Sequence, residues 1–106
     1  MTLNEIRALL VTVDPKIKHY FSMEESKSYS YWEETRRLSF LADDGHPSNE
    51  EGWHVYVHLY TTTEGDPKAS AFFSTLDRDP RTTVIWTVDP ERDSGYIHHI
   101  FDCEGF

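Results

Sequence analysis

Six histidines in 106 residues are the first chemistry this sequence offers. His54 and His58 lie on the run Trp53-His54-Val55-Tyr56-Val57-His58-Leu59-Tyr60, and His98 and His99 lie in the closing segment. Imidazoles carry protons near neutral pH and bind metals, but a metal needs its ligands about 2 Å from one ion. On an extended strand His54 and His58 share a face yet stand about 13 Å apart, at about 3.3 Å per residue. His98 and His99 point to opposite faces. A metal site would need His98 or His99 to meet His54, His58 or Asp102 across strands; the spacing demands no such meeting, so no metal or cofactor is expected. The single cysteine, Cys103, excludes a disulfide within these residues and a cysteine-based zinc cage. It sits four residues from His99 on one strand, too far for a nucleophile–base hydrogen bond, and reads as a small buried hydrophobe. Glu33 and Glu34 are adjacent on a strand and face opposite ways, which is not the geometry of a glycosidase pair. The glycines are isolated, without a phosphate-cradling loop. No catalytic residue is expected, and the chain reads as non-enzymatic.

The elements that position these groups follow from pattern. Thr2-Leu3-Asn4-Glu5 is a capping box, and Leu3, Ile6, Leu10 and Val13 recur at helical spacing, predicting a helix over residues 3–13 that stops at Asp14-Pro15. Residues 15–27 read as a connection. Residues 28–40 have β-type composition, with Trp32, Leu38 and Phe40 on one parity and Tyr29 and Tyr31 on the other; the Tyr29/Tyr31/Trp32 cluster reads as packing. Residues 42–51 form an acidic loop. Residues 53–60 give the cleanest strand: Trp53, Val55, Val57 and Leu59 make an apolar face, opposite His54, Tyr56, His58 and Tyr60. Asp66 caps a second helix with Pro67 at its first position and Ala69, Phe72, Phe73 and Leu76 as its stripe. Strands follow at 82–88, where Val84, Trp86 and Val88 share a face, and from Tyr96 nearly to the last residue. The fold class is α+β: an antiparallel or mixed four-stranded sheet with two helices on one face, in the order α-β-β-α-β-β, as a single domain over 1–106.

Aromatic residues are 14% and hydrophobic residues only 38%, so rings must supply much of the buried area, and association would help a core of this size. The net charge of −9 disfavours nucleic-acid binding, which needs a basic patch; Arg36-Arg37 is the only adjacent basic pair. Met1–Glu5 shows no secretory signal, and no apolar run is long enough to cross a membrane. Strands with no plainly solvated face are covered on both sides, by their own domain or by another subunit.

Several segments together resemble small tail proteins of phages and prophages, of the tail terminator or tail completion type. They are Met1-Thr2-Leu3-Asn4-Glu5-Ile6-Arg7, the Tyr31-Trp32-x-Glu34 region, Trp53-His54-Val55, Thr83–Asp89, and the more specific closing motif Asp93-Ser94-Gly95-Tyr96-Ile97-His98-His99-Ile100-Phe101-Asp102-Cys103-Glu104-Gly105. The resemblance implies a minor tail protein located in the virion tail or neck, and in the host cytoplasm during assembly. It implies a subunit that forms a homo-oligomeric ring, typically a hexamer, at the head-proximal end of the tail tube. Expected partners are other copies of itself, the tail tube protein and head–tail connector proteins, without sequence-specific nucleic-acid or membrane binding. His54, Tyr56, His58, Tyr60, Tyr96 and His98 are the candidate subunit interface. Asp43, Asp44, Glu50, Glu51, Asp89, Glu91 and Asp93 are candidate acidic residues of loops or of a channel that DNA traverses without sticking. Interface histidines that charge below about pH 6.5 predict an assembly that weakens near pH 5. The alternative is a small α+β ligand- or metal-binding module that dimerises.

Overall fold

The computed structural model describes residues 1–20, 27–39 and 51–106. Its elements are α1 (Leu3–Val13), β1 (Lys18–His19), β2 (Ser28–Leu38), β3 (Gly52–Thr61), α2 (Pro67–Arg78), β4 (Thr82–Pro90) and β5 (Ile97–Gly105). Both helix starts form as their residues dictate. The Thr2 hydroxyl accepts from the Glu5 N–H, Glu5 accepts from the Thr2 N–H, and Asp66 accepts from the Lys68 N–H ahead of Pro67. These contacts satisfy N–H groups that have no partner inside a helix.

The α+β class holds, but the sheet has five strands, in the order β1-β2-β3-β5-β4. The element order is therefore α-β-β-β-α-β-β, which corrects the four-stranded expectation. The added strand, β1, lies in the segment read as a connection. It is two residues long, pairs parallel with β2 at Tyr31 and Trp32, and makes the sheet mixed. No periodicity marks so short a strand. It is held by His19, whose ring stacks on Trp32 at 4.0 Å and whose Nε2 lies 2.6 Å from a Glu34 carboxylate oxygen.

A second correction concerns parity. The β2–β3 register slips between Glu34 and Arg36, leaving Thr35 as the extra residue of a bulge. Side chains beyond a bulge change faces relative to those before it. Leu38, opposite Gly52, therefore shares the face of His54, while Trp32, opposite Val57, lies on the other. Phe40 and most of the acidic loop, including Asp43, Asp44 and Glu50, lie outside the described residues.

Both helices pack on one face of the sheet. Ile6 and Leu10 of α1 and Ala69, Phe72 and Leu76 of α2 join Trp32, Val55, Val57, Leu59, Phe101 and Cys103 in a single core. Buried Asp14 ties three elements together: its carboxylate accepts from the Ser30 hydroxyl at 2.7 Å and the Lys16 N–H at 3.0 Å, with the Lys68 ammonium 3.6 Å away. Arg81 donates to both Asp79 and Glu5, joining the exit of α2 to the start of α1.

Candidate functional site

The helices cover one face of the sheet and leave the other without a covering layer among the described elements. Register defines that bare face. Tyr29, Tyr31 and Glu33 of β2 stand opposite Tyr60, His58 and Tyr56 of β3. Those residues in turn face His98, Ile100 and Asp102 of β5, which face Asp89, Thr87 and Ile85 of β4. His54, Tyr56, His58, Tyr60 and His98, proposed from sequence, all fall here. Tyr96 joins them from just before β5, its ring edge-on to Tyr29 and Tyr60. The pairing also brings Tyr29, Tyr31 and Glu33 of β2, Ile85 of β4 and Ile100 and Asp102 of β5 onto this face. Trp32, grouped with Tyr29 and Tyr31 by sequence, goes into the core.

The rings form a stacked array. Tyr29 stacks on Tyr60 at 4.9 Å, Tyr31 on His58 at 4.4 Å and Tyr60 on His98 at 4.1 Å. Burial raises the phenol pKa values of Tyr29, Tyr31 and Tyr60, so these groups stay neutral donors. Beside the array lies an open groove of about 420 Å³, lined by Glu33, Tyr56, His58, Ile85, Thr87, Ile100 and Asp102. Ile85 is 65% exposed, on an edge strand where a polar residue would serve solubility better.

Two cross-strand contacts fix the histidines. His54 is clamped at the bulge: Nδ1 meets the Thr35 hydroxyl, and Nε2 lies 2.5 Å from an Asp102 carboxylate oxygen. The Thr35 hydroxyl also reaches the His54 carbonyl, so it holds the bulge closed. His58 Nδ1 lies 2.9 Å from His98 Nε2, while His58 Nε2 is buried without a hydrogen bond among the described residues and stands 3.8 Å from Glu33. At the far end, His98 Nδ1 stands 3.8 Å from Glu91. Burial, reinforced by His98, pushes the His58 pKa down to about 4, and burial lowers that of His98 as well. The histidine meeting across strands that a metal site requires thus occurs, between residues 40 positions apart in sequence.

His99 lies on the covered face, as alternation predicts, and is buried. Its Nδ1 accepts from the Trp86 indole N–H at 3.0 Å, which places the neutral ring's proton on Nε2. Cys103 is fully buried, and burial pushes its thiol up to about 12, which rules out a thiolate nucleophile at neutral pH. Of the acidic residues, Asp89, Glu91 and Asp93 gather at the β4–β5 turn. Glu51 sits at the opposite end of the sheet, about 30 Å along β3 at about 3.3 Å per residue, where its carboxylate accepts from the Trp53 indole at 2.9 Å. No helix among the described residues is long and apolar enough to cross a membrane.

No protein-family model matches the chain, and no curated protein matches it in sequence. Among solved structures, a chain in the virion of a native gene transfer agent particle is similar over 96% of this chain and 87% of its own length, at 12% identity and a TM-score of 0.47. At that identity and score the likeness carries no argument about role.

Proposed function

We propose that the chain is a non-enzymatic structural subunit of a phage-type tail or neck. In this reading it is a tail terminator that closes into a ring, a hexamer by family resemblance, at the head-proximal end of the tail tube. Its place is the virion, with assembly in the host cytoplasm. The observation that carries the proposal is the bare sheet face. A face of stacked Tyr and His rings beside exposed Ile85 and the Ile100-lined groove has the aromatic-rich composition of an interface. Cyclic assembly needs two different surfaces on each subunit, and this face is one of them. The closing motif from Asp93 to Gly105 supplies the family resemblance. The charge of −9 suits a ring that DNA crosses, because phosphate contacts from Lys or Arg would retard passage.

The test is tube growth. The tail tube protein from the same genome is polymerised with and without this chain. The proposal predicts short tubes capped at one end when the chain is present. Tubes of equal length in both reactions overturn the terminator role.

A further inference from the structure

We infer that Asp89, Glu91 and His98 form a binding site for a divalent transition cation, with His58 and Glu33 behind it as supporting groups. One ligand atom from each of the three residues lies within 4.8 Å of the other two. Bonds of about 2.0–2.1 Å to one ion place tetrahedral ligands about 3.3 Å apart, so closure by about 1.5 Å completes the set. Asp89 is exposed and Glu91 half-buried, so both carboxylates can swing that far. The backbone already brings them together. Asp89 stands directly opposite His98 in the β4–β5 ladder. Glu91 is pinned at the turn by its N–H to the Tyr96 carbonyl at 2.9 Å and by the Gly95 N–H to its own carbonyl at 3.1 Å. One Glu91 carboxylate oxygen accepts from the Ser94 hydroxyl at 2.9 Å, and the other faces His98 Nδ1.

Proton counting across the two imidazoles points independently to a cation. The array has three contacts: Glu33 with His58 Nε2, His58 Nδ1 with His98 Nε2, and His98 Nδ1 with Glu91. A neutral imidazole carries one proton, so two neutral rings bring two protons to three contacts. In either arrangement of tautomers, one bare nitrogen lone pair is aimed at a carboxylate. A cation at one end of the array would occupy that lone pair. With the cation on His98 Nδ1, His98 donates from Nε2 to His58 Nδ1, and His58 Nε2–H points at Glu33. This is the outer-shell arrangement that orients metal-bound histidines. The His98 end is favoured over the Glu33 end because it holds two carboxylates. Tyr60, stacked at 4.1 Å and 12°, holds the ring in plane. One imidazole with two carboxylates suits Zn²⁺ or Mn²⁺ better than Mg²⁺ or Ca²⁺, and three protein ligands leave a position for water. The inference does not depend on ring assembly.

The experiment is calorimetric titration of the metal-stripped full chain with Zn²⁺ and, separately, Mg²⁺. One Zn²⁺ per chain is expected, bound more tightly than Mg²⁺, with a shift of the His98 Nδ1 nitrogen resonance on binding. Asp89→Asn and Glu91→Gln, both at accessible positions, should each weaken Zn²⁺ by about tenfold or more. His19→Gln, at the other sheet edge, should leave it unchanged. No Zn²⁺ binding, Zn²⁺ held no better than Mg²⁺, or affinity indifferent to both carboxylate variants overturns the site.

Discussion

Mild acid should destabilise this fold through His58. A histidine in the unfolded chain titrates near 6.5, whereas burial and the neighbouring His98 hold His58 to about 4 in the fold. Between those values the unfolded chain takes a proton that the folded chain refuses. Stability therefore falls as pH drops through 6.5, and the loss is complete only below about 4. Each pH unit in that window is worth about 1.4 kcal/mol per proton. From pH 6.5 to about 5 the full effect is about 2 kcal/mol. The side chain is 12% exposed and Glu33 stands 3.8 Å from Nε2, so partial screening brings the expected loss to about 1–2 kcal/mol. The groups facing His58 are Tyr31 and Glu33 from β2, Tyr56 from β3 and His98 from β5. Only Glu33 favours the charged form by its own charge. The carboxylates of Glu5, Glu34 and Asp79 are held below their usual range. His98 and His99 are shifted in the same direction and add to the wild-type loss. The comparison is therefore with His58→Gln, by urea unfolding near pH 7 and pH 5. Wild type should lose about 1–2 kcal/mol more than the variant, and the His58 ring resonances should titrate well below 6.5. Equal losses, or a His58 midpoint near 6.5, refute the reasoning. The same shifts correct the expectation that all interface histidines charge below about pH 6.5, since His58 and His98 resist protonation within the subunit itself.

Other perturbations have defined outcomes. Phe101→Ala removes a fully buried ring packed on Phe72 at 5.7 Å and Trp86 at 5.5 Å, and thermal or urea unfolding should show a loss of about 3–5 kcal/mol. Gly105→Ala places a Cβ 2.8 Å from the Met1 sulfur and 3.3 Å from Ile6 Cδ1; the flexible Met1 side chain yields, so the cost by the same assay should be about 1 kcal/mol. Cys103, fully buried with its thiol pushed up to about 12, should react with an aromatic disulfide reagent only at the rate of unfolding, giving full labelling in denaturant and almost none without it.

What could be read in advance was what is local in the chain. The Thr2–Glu5 box, the Asp66-Pro67 start and the alternation from Trp53 to Tyr60 each place an element through residues a few positions apart, and each element forms where expected. What could not be read depends on register. β1 exists because His19 finds Trp32 and Glu34, which no two-residue pattern announces. The Thr35 bulge reverses parity for Leu38 and depends on a contact with His54, 19 residues on. The shared face of His54, His58 and His98 was legible from alternation within each strand. Their partners were not: Asp102 for His54, His98 for His58, and Asp89 and Glu91 for His98 follow only once β3, β5 and β4 are aligned residue by residue.

The central claim is that the bare aromatic face joins one subunit to the next. Native mass spectrometry at neutral pH, over a rising concentration series, tests it most directly when wild type is set beside Ile85→Arg. This variant alters the most exposed large apolar side chain among the described residues without touching the core. The account predicts a closed oligomer of several copies for wild type and a monomer for Ile85→Arg. A wild-type chain that stays monomeric at every concentration, or an oligomer that Ile85→Arg leaves intact, contradicts it.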